Sequence, residues 1–276
     1  MGGRHPSEYP KSMRAPLAWT AAAAAASMRR MDTLPSLLPA LAAVFFAAGL
    51  VKGISGMGLP TVAMSLLALL MPPAAAAALT TLPALATNVA QCTGPHAPSL
   101  LRLLWPAWLG LALATLLAPG LDDAALARTA PRLLGAVLLA YGAWGLWRPQ
   151  LPALPRSRRS AGALAGVATG FVTAATGVFV LPLVPYLQML RLERAALVQA
   201  LGLSFTIATL ALAWRLQAGG APVAAQAATP LALAAAFAGL GAGRLVRDRL
   251  SGPAFQRALS LVFIGLGMAN FLRQAA

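Results

Sequence analysis

The chain has 276 residues, 59% hydrophobic and only 10% charged, with a mean hydropathy of +0.74, whereas a soluble domain is about a quarter charged. This composition excludes a water-soluble globule and predicts an integral membrane protein with the lipid bilayer as its main partner. The net charge of +15 does not point to nucleic acid, because the bases flank apolar runs instead of forming a stripe with interleaved aromatics.

Residues 1–33 are polar, basic and proline-containing, and the tract from Ala21 to Ala26 is too short to span a bilayer. They read as a disordered basic tail. A signal peptide is not expected, since its apolar core would be this alanine tract followed by Arg29 and Arg30. Met28 and Met31 stand as alternative starts just before the first long apolar run.

Ten apolar segments follow, at about 34–53, 58–71, 74–91, 101–118, 131–147, 161–177, 178–190, 195–216, 225–243 and 254–272. Most reach the 17 to 20 residues a helical span needs, and helices are expected because lipid cannot satisfy backbone hydrogen bonds. The second and seventh are too short. Residues 34–71 as one helix would measure about 57 Å, nearly twice a hydrocarbon core of about 30 Å. A break within Gly53 to Gly58 is therefore predicted.

The sequence repeats itself. GLVKGISG from Gly49 to Gly56 aligns with GFVTAATG from Gly170 to Gly177 at a constant offset of 121, and each string precedes a short apolar segment. VLLAYGAWGLWR, ending at Arg148, likewise matches VFIGLGMANFLR, ending at Arg273. Five segments per half is an odd number, so the second half enters from the opposite side. The expected fold is an all-α polytopic bundle of two inverted repeats with short or broken helices at equivalent positions. The repeats are 34–148 and 161–273, joined by an Arg-rich linker at 149–160.

Charge orients this layout. The linker between Arg148 and Arg159 and the loop between Arg244 and Arg257 are four segments apart, which puts both on the cytoplasmic side. Asp122 and Asp123 then fall outside, as do both termini. All six acids lie in the tail or between apolar runs.

The two breaks concentrate small residues, hydroxyls and one cation: Lys52, Gly53, Ser55, Gly56 and Gly58, and Thr173, Thr176 and Gly177. Glycine permits non-helical dihedrals, and a helix beginning inside the membrane presents free N–H groups and a positive dipole end. Such interruptions at matching points of two halves mark a transporter's midplane site, although small residues also serve tight helix packing. Lys52 needs a reason to be there, since a lysine at bilayer centre costs about 2.5–3.5 kcal/mol on insertion scales. It is either a site residue or a side chain snorkelling to the headgroups. Asn88 and Gln91, three apart, share a face of the third segment, whose other polar residues are Thr80, Thr81 and Thr87; the eighth carries Gln199, Ser204, Thr206 and Thr209. His96 follows Gly94-Pro95 and reads as a turn residue.

No cofactor or metal is expected. Cys92 is the sole cysteine, there is no G-x-x-x-x-G-K-[ST] loop, and no acid, His pair or metal cluster lies within an apolar run, so an enzyme is disfavoured.

GLVKGISGMGLPTVAMSLL resembles the first-half signature of the sulfite exporter TauE/SafE family of membrane permeases, TLPALATNVAQ is similar to its next helix, and GFVTAATGVFVLPLVPYLQ with VQALGLSF resembles the second-half counterpart. The likeness covers about residues 36 to 272. Ala174 departs from it where the repeat would place a second glycine, and so does Val178-Phe179. The resemblance implies export of a small anion across the cytoplasmic membrane, such as sulfite, sulfoacetate or a related organosulfur compound. The substrate-binding set would be Lys52, Gly53, Ser55, Gly56, Asn88, Gln91, Thr173, Thr176 and Gly177. A transporter of another solute, such as an amino acid or metal ion, and a non-transporting membrane subunit remain the alternatives.

Overall fold

The computed structural model describes residues 37–121, 123–147, 151–155, 159–219, 228–250 and 252–273. The tail at 1–33, Arg148 and much of the Arg-rich linker lie outside the described residues. Among those described, every regular element is a helix: α1 (Leu37–Ser55), α2 (Leu59–Leu67), α3 (Pro73–Cys92), α4 (Ala97–Leu117), α5 (Ala124–Trp147), α6 (Arg159–Thr176), α7 (Leu183–Met189), α8 (Arg194–Ala218), α9 (Thr229–Leu250) and α10 (Pro253–Leu272). The chain divides into residues 1–40, of which only the opening turn of α1 is described, and residues 41–276, which hold everything below.

Five helices, α1, α4, α8, α9 and α10, are long and apolar enough to cross a membrane. Helices α3, α5 and α6 have 20, 24 and 18 residues. The protein is a multi-pass, all-α membrane protein.

Local chemistry sets the boundaries. Helix α1 stops where Gly56 takes a left-handed φ of 83° while its N–H still reaches Lys52 O at 2.8 Å, and Gly58, at φ 100°, starts α2 ahead of Pro60. The fifth segment begins seven residues before the expected Pro131, because Asp123 Oδ1 accepts the N–H groups of Ala125 and Leu126 at 2.8 and 3.0 Å and so starts the helix. The expected loop between Arg244 and Arg257 is largely helical. Helix α9 runs on through Arg244, Arg247 and Arg249, and α10 begins at Pro253. Arginines complement the negative end of a helix dipole, so the last turns of α9 tolerate what a hydropathy reading assigns to a loop.

Helices meet at glycines, where no Cβ keeps backbones apart. On α1, Gly49 abuts Ala236 O and Gly53 abuts Leu240 O, while Gly239 and Gly243 of α9 abut Phe46 O and Leu50 O; the order of these contacts makes the two helices parallel. Helices α4 and α6 pair the same way, with Gly166 against Ala107 O and Gly170 against Leu111 O. The first helix of each half thus packs along the fourth helix of the other. Two further close pairs join equivalent helices, and both run antiparallel. Gly135 meets Gly267 and Gly142 meets Ser260 between α5 and α10, while Gly94 meets Gln199 and Gln91 meets Gly202 where α3 passes α8.

Candidate functional site

Lys52 lies one turn before the end of α1 and is only 2% exposed. Its ammonium donates to Thr87 Oγ1 at 3.1 Å and to Asn88 Oδ1, both on α3. Thr87 also donates to Pro83 O of its own helix at 2.7 Å, and Gln91 Nε2, one turn on, ties α3 to the α1 break by donating to Gly56 O. The ammonium has no acceptor role, so it orients the Asn88 amide oxygen toward itself and turns Nδ2 away. Asn88 Nδ2 and Gln91 Oε1 are buried without a partner among the described residues. Lys52 in this structure is no snorkelling side chain; its charge is held inside the bundle by neutral amide and hydroxyl oxygens.

A cavity of about 350 Å³ adjoins this cluster, lined by Lys52, Gly56, Thr87 and Gln91 on one side and by His96, Gln199, Arg244 and Arg247 on the other. None of its lining residues is a carboxylate. Glu193 stands nearby, 3.0 Å from His96 Nε2. Gln199 shapes the far wall by donating to Cys92 O and Gly94 O, both at 3.0 Å, and accepting from His96 N. His96 is therefore a fixed wall residue at the start of α4. A partly open concavity with a buried lysine, two arginines and no lining carboxylate favours an anion, because a cleft lined by one sign of charge concentrates the opposite ion.

A second cavity of about 440 Å³ lies on the other side of the α1 break, lined by Ser55, Met57 and Gly58, by Tyr141, Trp144, Phe255 and Phe263, and by Arg194 and Arg247. Ser55 Oγ is committed to the turn, donating to Val51 O at 2.7 Å and accepting from Met57 N. Gly53 faces neither cavity; its place is against α9.

The second-half residues sit elsewhere. Thr173 and Thr176 are buried and donate to Thr169 O and Val172 O, and Gly177, at φ 71°, lies against Met64 and Ala77. They line neither cavity. Lys52, Gly56, Asn88 and Gln91 are brought together, Ser55 faces the cavity on the other side of the α1 break, and Thr173, Thr176 and Gly177 form a separate, densely packed cluster. Thr80, Thr81 and Thr209 also donate to their own helix four residues back, as hydroxyls buried in helices do.

Arg244, Arg247 and Gln199 join the site although sequence reasoning put the arginines into topology and the glutamine into a generic polar set. The three-residue spacing of Arg244 and Arg247 places both on one helix face, a signal that could have marked them once α9 was known to continue past Gly243.

No curated protein and no solved structure matches the sequence significantly. A family model for sulfite exporter TauE/SafE matches residues 41–269, which takes in α2 to α9, nearly all of α10, α1 from its second turn onward, and every residue of both cavities. With so much of the chain matched and a cation-lined cavity inside the matched region, the chain belongs to the sulfite exporter TauE/SafE family.

Proposed function

We propose that the protein is a permease of the cytoplasmic membrane that exports a small anion, sulfite, sulfoacetate or a related organosulfur anion, by alternating access. The observation that carries this reading is Lys52, a buried ammonium held by Thr87 and Asn88 beside a cavity that also receives Arg244 and Arg247. An anion entering that cavity gains three positive charges, and Lys52 has already been desolvated by the fold.

The two repeats, 34–148 and 161–273, run in opposite directions in this reading, which the antiparallel α5/α10 and α3/α8 pairs support. Both cavities use the C-terminal ends of α1 and α9 and the N-terminal part of α8, so they lie at one end of the bundle. By the positive-inside rule the arginines of α9 put that end in the cytoplasm. The state is then inward-facing, with the first-half break solvated and the second-half break closed by Met64 and Ala77. Exchange of the two conformations opens the other end and brings Thr173, Thr176 and Gly177 to the anion.

Reconstituted protein loaded with sulfite tests this. Lys52→Met should reduce efflux at least about tenfold, the loss expected when one charge-assisted contact of 1.5–3 kcal/mol is removed, and Lys52→Arg should keep part of it. Normal efflux from Lys52→Met at matched abundance and across sulfite concentrations overturns the site.

A further inference from the structure

Arg215 lines neither cavity. Gln199, in the wall of the lysine cavity, lies on the same helix, and about four and a half turns set Arg215 about 24 Å from it along α8, at the opposite end of the bundle. There its guanidinium donates to Thr115 O at 2.9 Å and to Ala118 O, carbonyls at the end of α4. It also lies over Gly120, where a Cβ would stand 2.7 Å from Arg215 Nε and 2.8 Å from Ala174 O. Leu121 N donates to that same Ala174 O at 2.9 Å. Residues 118–121 are thus a strap held between Arg215 and the second break, and Ala118, Leu121 and Ala174 are all buried. The first half is built differently at the matching place. Gly49 meets Ala236 O and Leu240 N, and its counterpart Gly170 meets Leu111 O and Thr115 N, so Arg244 matches Pro119 and Gly53 matches Ala174. Helix α9 continues there and carries Arg244 beside an open cavity, whereas α4 ends at Leu117, the strap takes up the space, and the cation comes from α8.

Resting on the alternating-access reading above, we propose that Arg215 is a gate residue: it clamps the strap over the second break and so holds the end of the bundle remote from Lys52 closed. Opening requires the guanidinium to give up the α4 carbonyls and Leu121 N to leave Ala174 O, which frees the strap to lift. Arginine suits such a clamp, because its five fixed donors can hold several carbonyls at once. The bonds are also exchangeable, since carbonyls are neutral acceptors and an ionised acceptor holds a guanidinium more strongly.

The test uses the full chain in nanodiscs, where a hydrophilic maleimide reaches both ends of the bundle. In a Cys92→Ser background, Leu121→Cys reports on the strap and Val198→Cys on the lysine cavity, which Val198 lines. With Arg215 intact, Leu121→Cys should label at least about tenfold more slowly than Val198→Cys. Arg215→Gln should speed labelling at the strap at least about tenfold, the scale of one charge-assisted hydrogen bond, and slow it at Val198→Cys at least about twofold, because the two ends open alternately. Arg215→Lys, which keeps the charge, should fall between. Gly120→Ala dislodges the strap from its other side and should move both rates in the same directions, so it decides the matter where Arg215→Gln does not fold. Faster labelling at the strap with no slowing at Val198→Cys makes Arg215 a mere cap of α4 and overturns the gate. Equal labelling of the two reporters with Arg215 intact, or a strap rate that neither variant moves, overturns it as well. No anion is present in this measurement, so its failure leaves the Lys52→Met efflux test to decide the anion reading separately.

Discussion

The turn after Lys52 and the turn after Thr173 have the same backbone and opposite surroundings. Gly56 and Gly177 are both left-handed, at φ 83° and 71°, and each donates to the carbonyl four residues earlier at 2.8 Å. Ser55 and Thr176 each donate to the carbonyl four residues back at 2.7 Å and accept the N–H two residues on. Yet a Cβ on Gly56 would meet nothing within 4 Å, and one on Gly177 would press on Met64 Cε at 3.0 Å. A repeated backbone has been given two different jobs by its side chains: one break is open beside a lysine, the other is filled with methionine and alanine. Fold alone does not assign function, and the proposed anion site rests on the lysine and its neighbours.

The widest test of that repeated backbone is at the helix crossings. An ideal Cβ on Gly166 would stand 1.9 Å from Ala107 O, and one on Gly239 2.0 Å from Phe46 O. These are backbone atoms, so the helices must separate. Gly166→Ala and Gly239→Ala should each destabilise the protein by about 1–3 kcal/mol or more, despite alanine's better helix propensity. Thermal unfolding in detergent would reveal it. Similar losses are expected at the two sites because each pairs the first helix of one half with the fourth of the other. A loss at one and not the other breaks the reciprocity.

Much of this comparison was legible in the sequence, and the reason is physical. An apolar stretch of 38 residues is too long for one span, which predicts the break that Gly56 and Gly58 make, and the offset of 121 pairs the same hydroxyls that the structure pairs. The position of Lys52 inside the bundle was legible as a cost that needed a reason. What sequence could not reveal is which partners provide the reason. Thr87 and Asn88 lie 35 and 36 residues away, and Arg244 and Arg247 were hidden because hydropathy ends a helix where charges begin. Arg215 lay within the eighth segment, but its partners, 100 and 97 residues away in sequence, were not legible. It reaches from α8 to Thr115 O at 2.9 Å and to Ala118 O, holding carbonyls that α4 leaves free at its end. Tyr141 and Trp144 look like any membrane aromatics until α10 brings Phe255 and Phe263 opposite them.

The two turns can then be compared directly. Alanine at either glycine adopts a left-handed conformation at a cost of about 1–2 kcal/mol. At Gly56 that is the whole cost, because the site is open. At Gly177 the new methyl also crowds Met64 and Ala77, so Gly177→Ala should unfold at a lower temperature than Gly56→Ala. Equal unfolding temperatures mean that Met64 yields freely and the second break is less tightly packed than its geometry indicates.

The smallest effect concerns the hydroxyls of the turns. Thr176→Val removes the acceptor of Val178 N and leaves that buried N–H without its side-chain partner, a loss of about 0.5–1.5 kcal/mol in stability. Ser55→Ala does the same to Met57 N in the first half, where the turn borders a cavity and water can replace the lost oxygen. Thr176→Val should therefore be the more destabilising of the two. Under the proposed alternating access, in which the second break meets the anion when the opposite end opens, it should also raise the apparent KM for the transported anion by about two- to fivefold, on the scale of one hydrogen bond. Ser55→Ala, whose hydroxyl already serves its own backbone, should move KM less. Thr176→Val with reduced stability and an unchanged KM would make the second break a purely structural copy of the first, confining the anion site to Lys52 and the residues that α3, α8 and α9 bring to it.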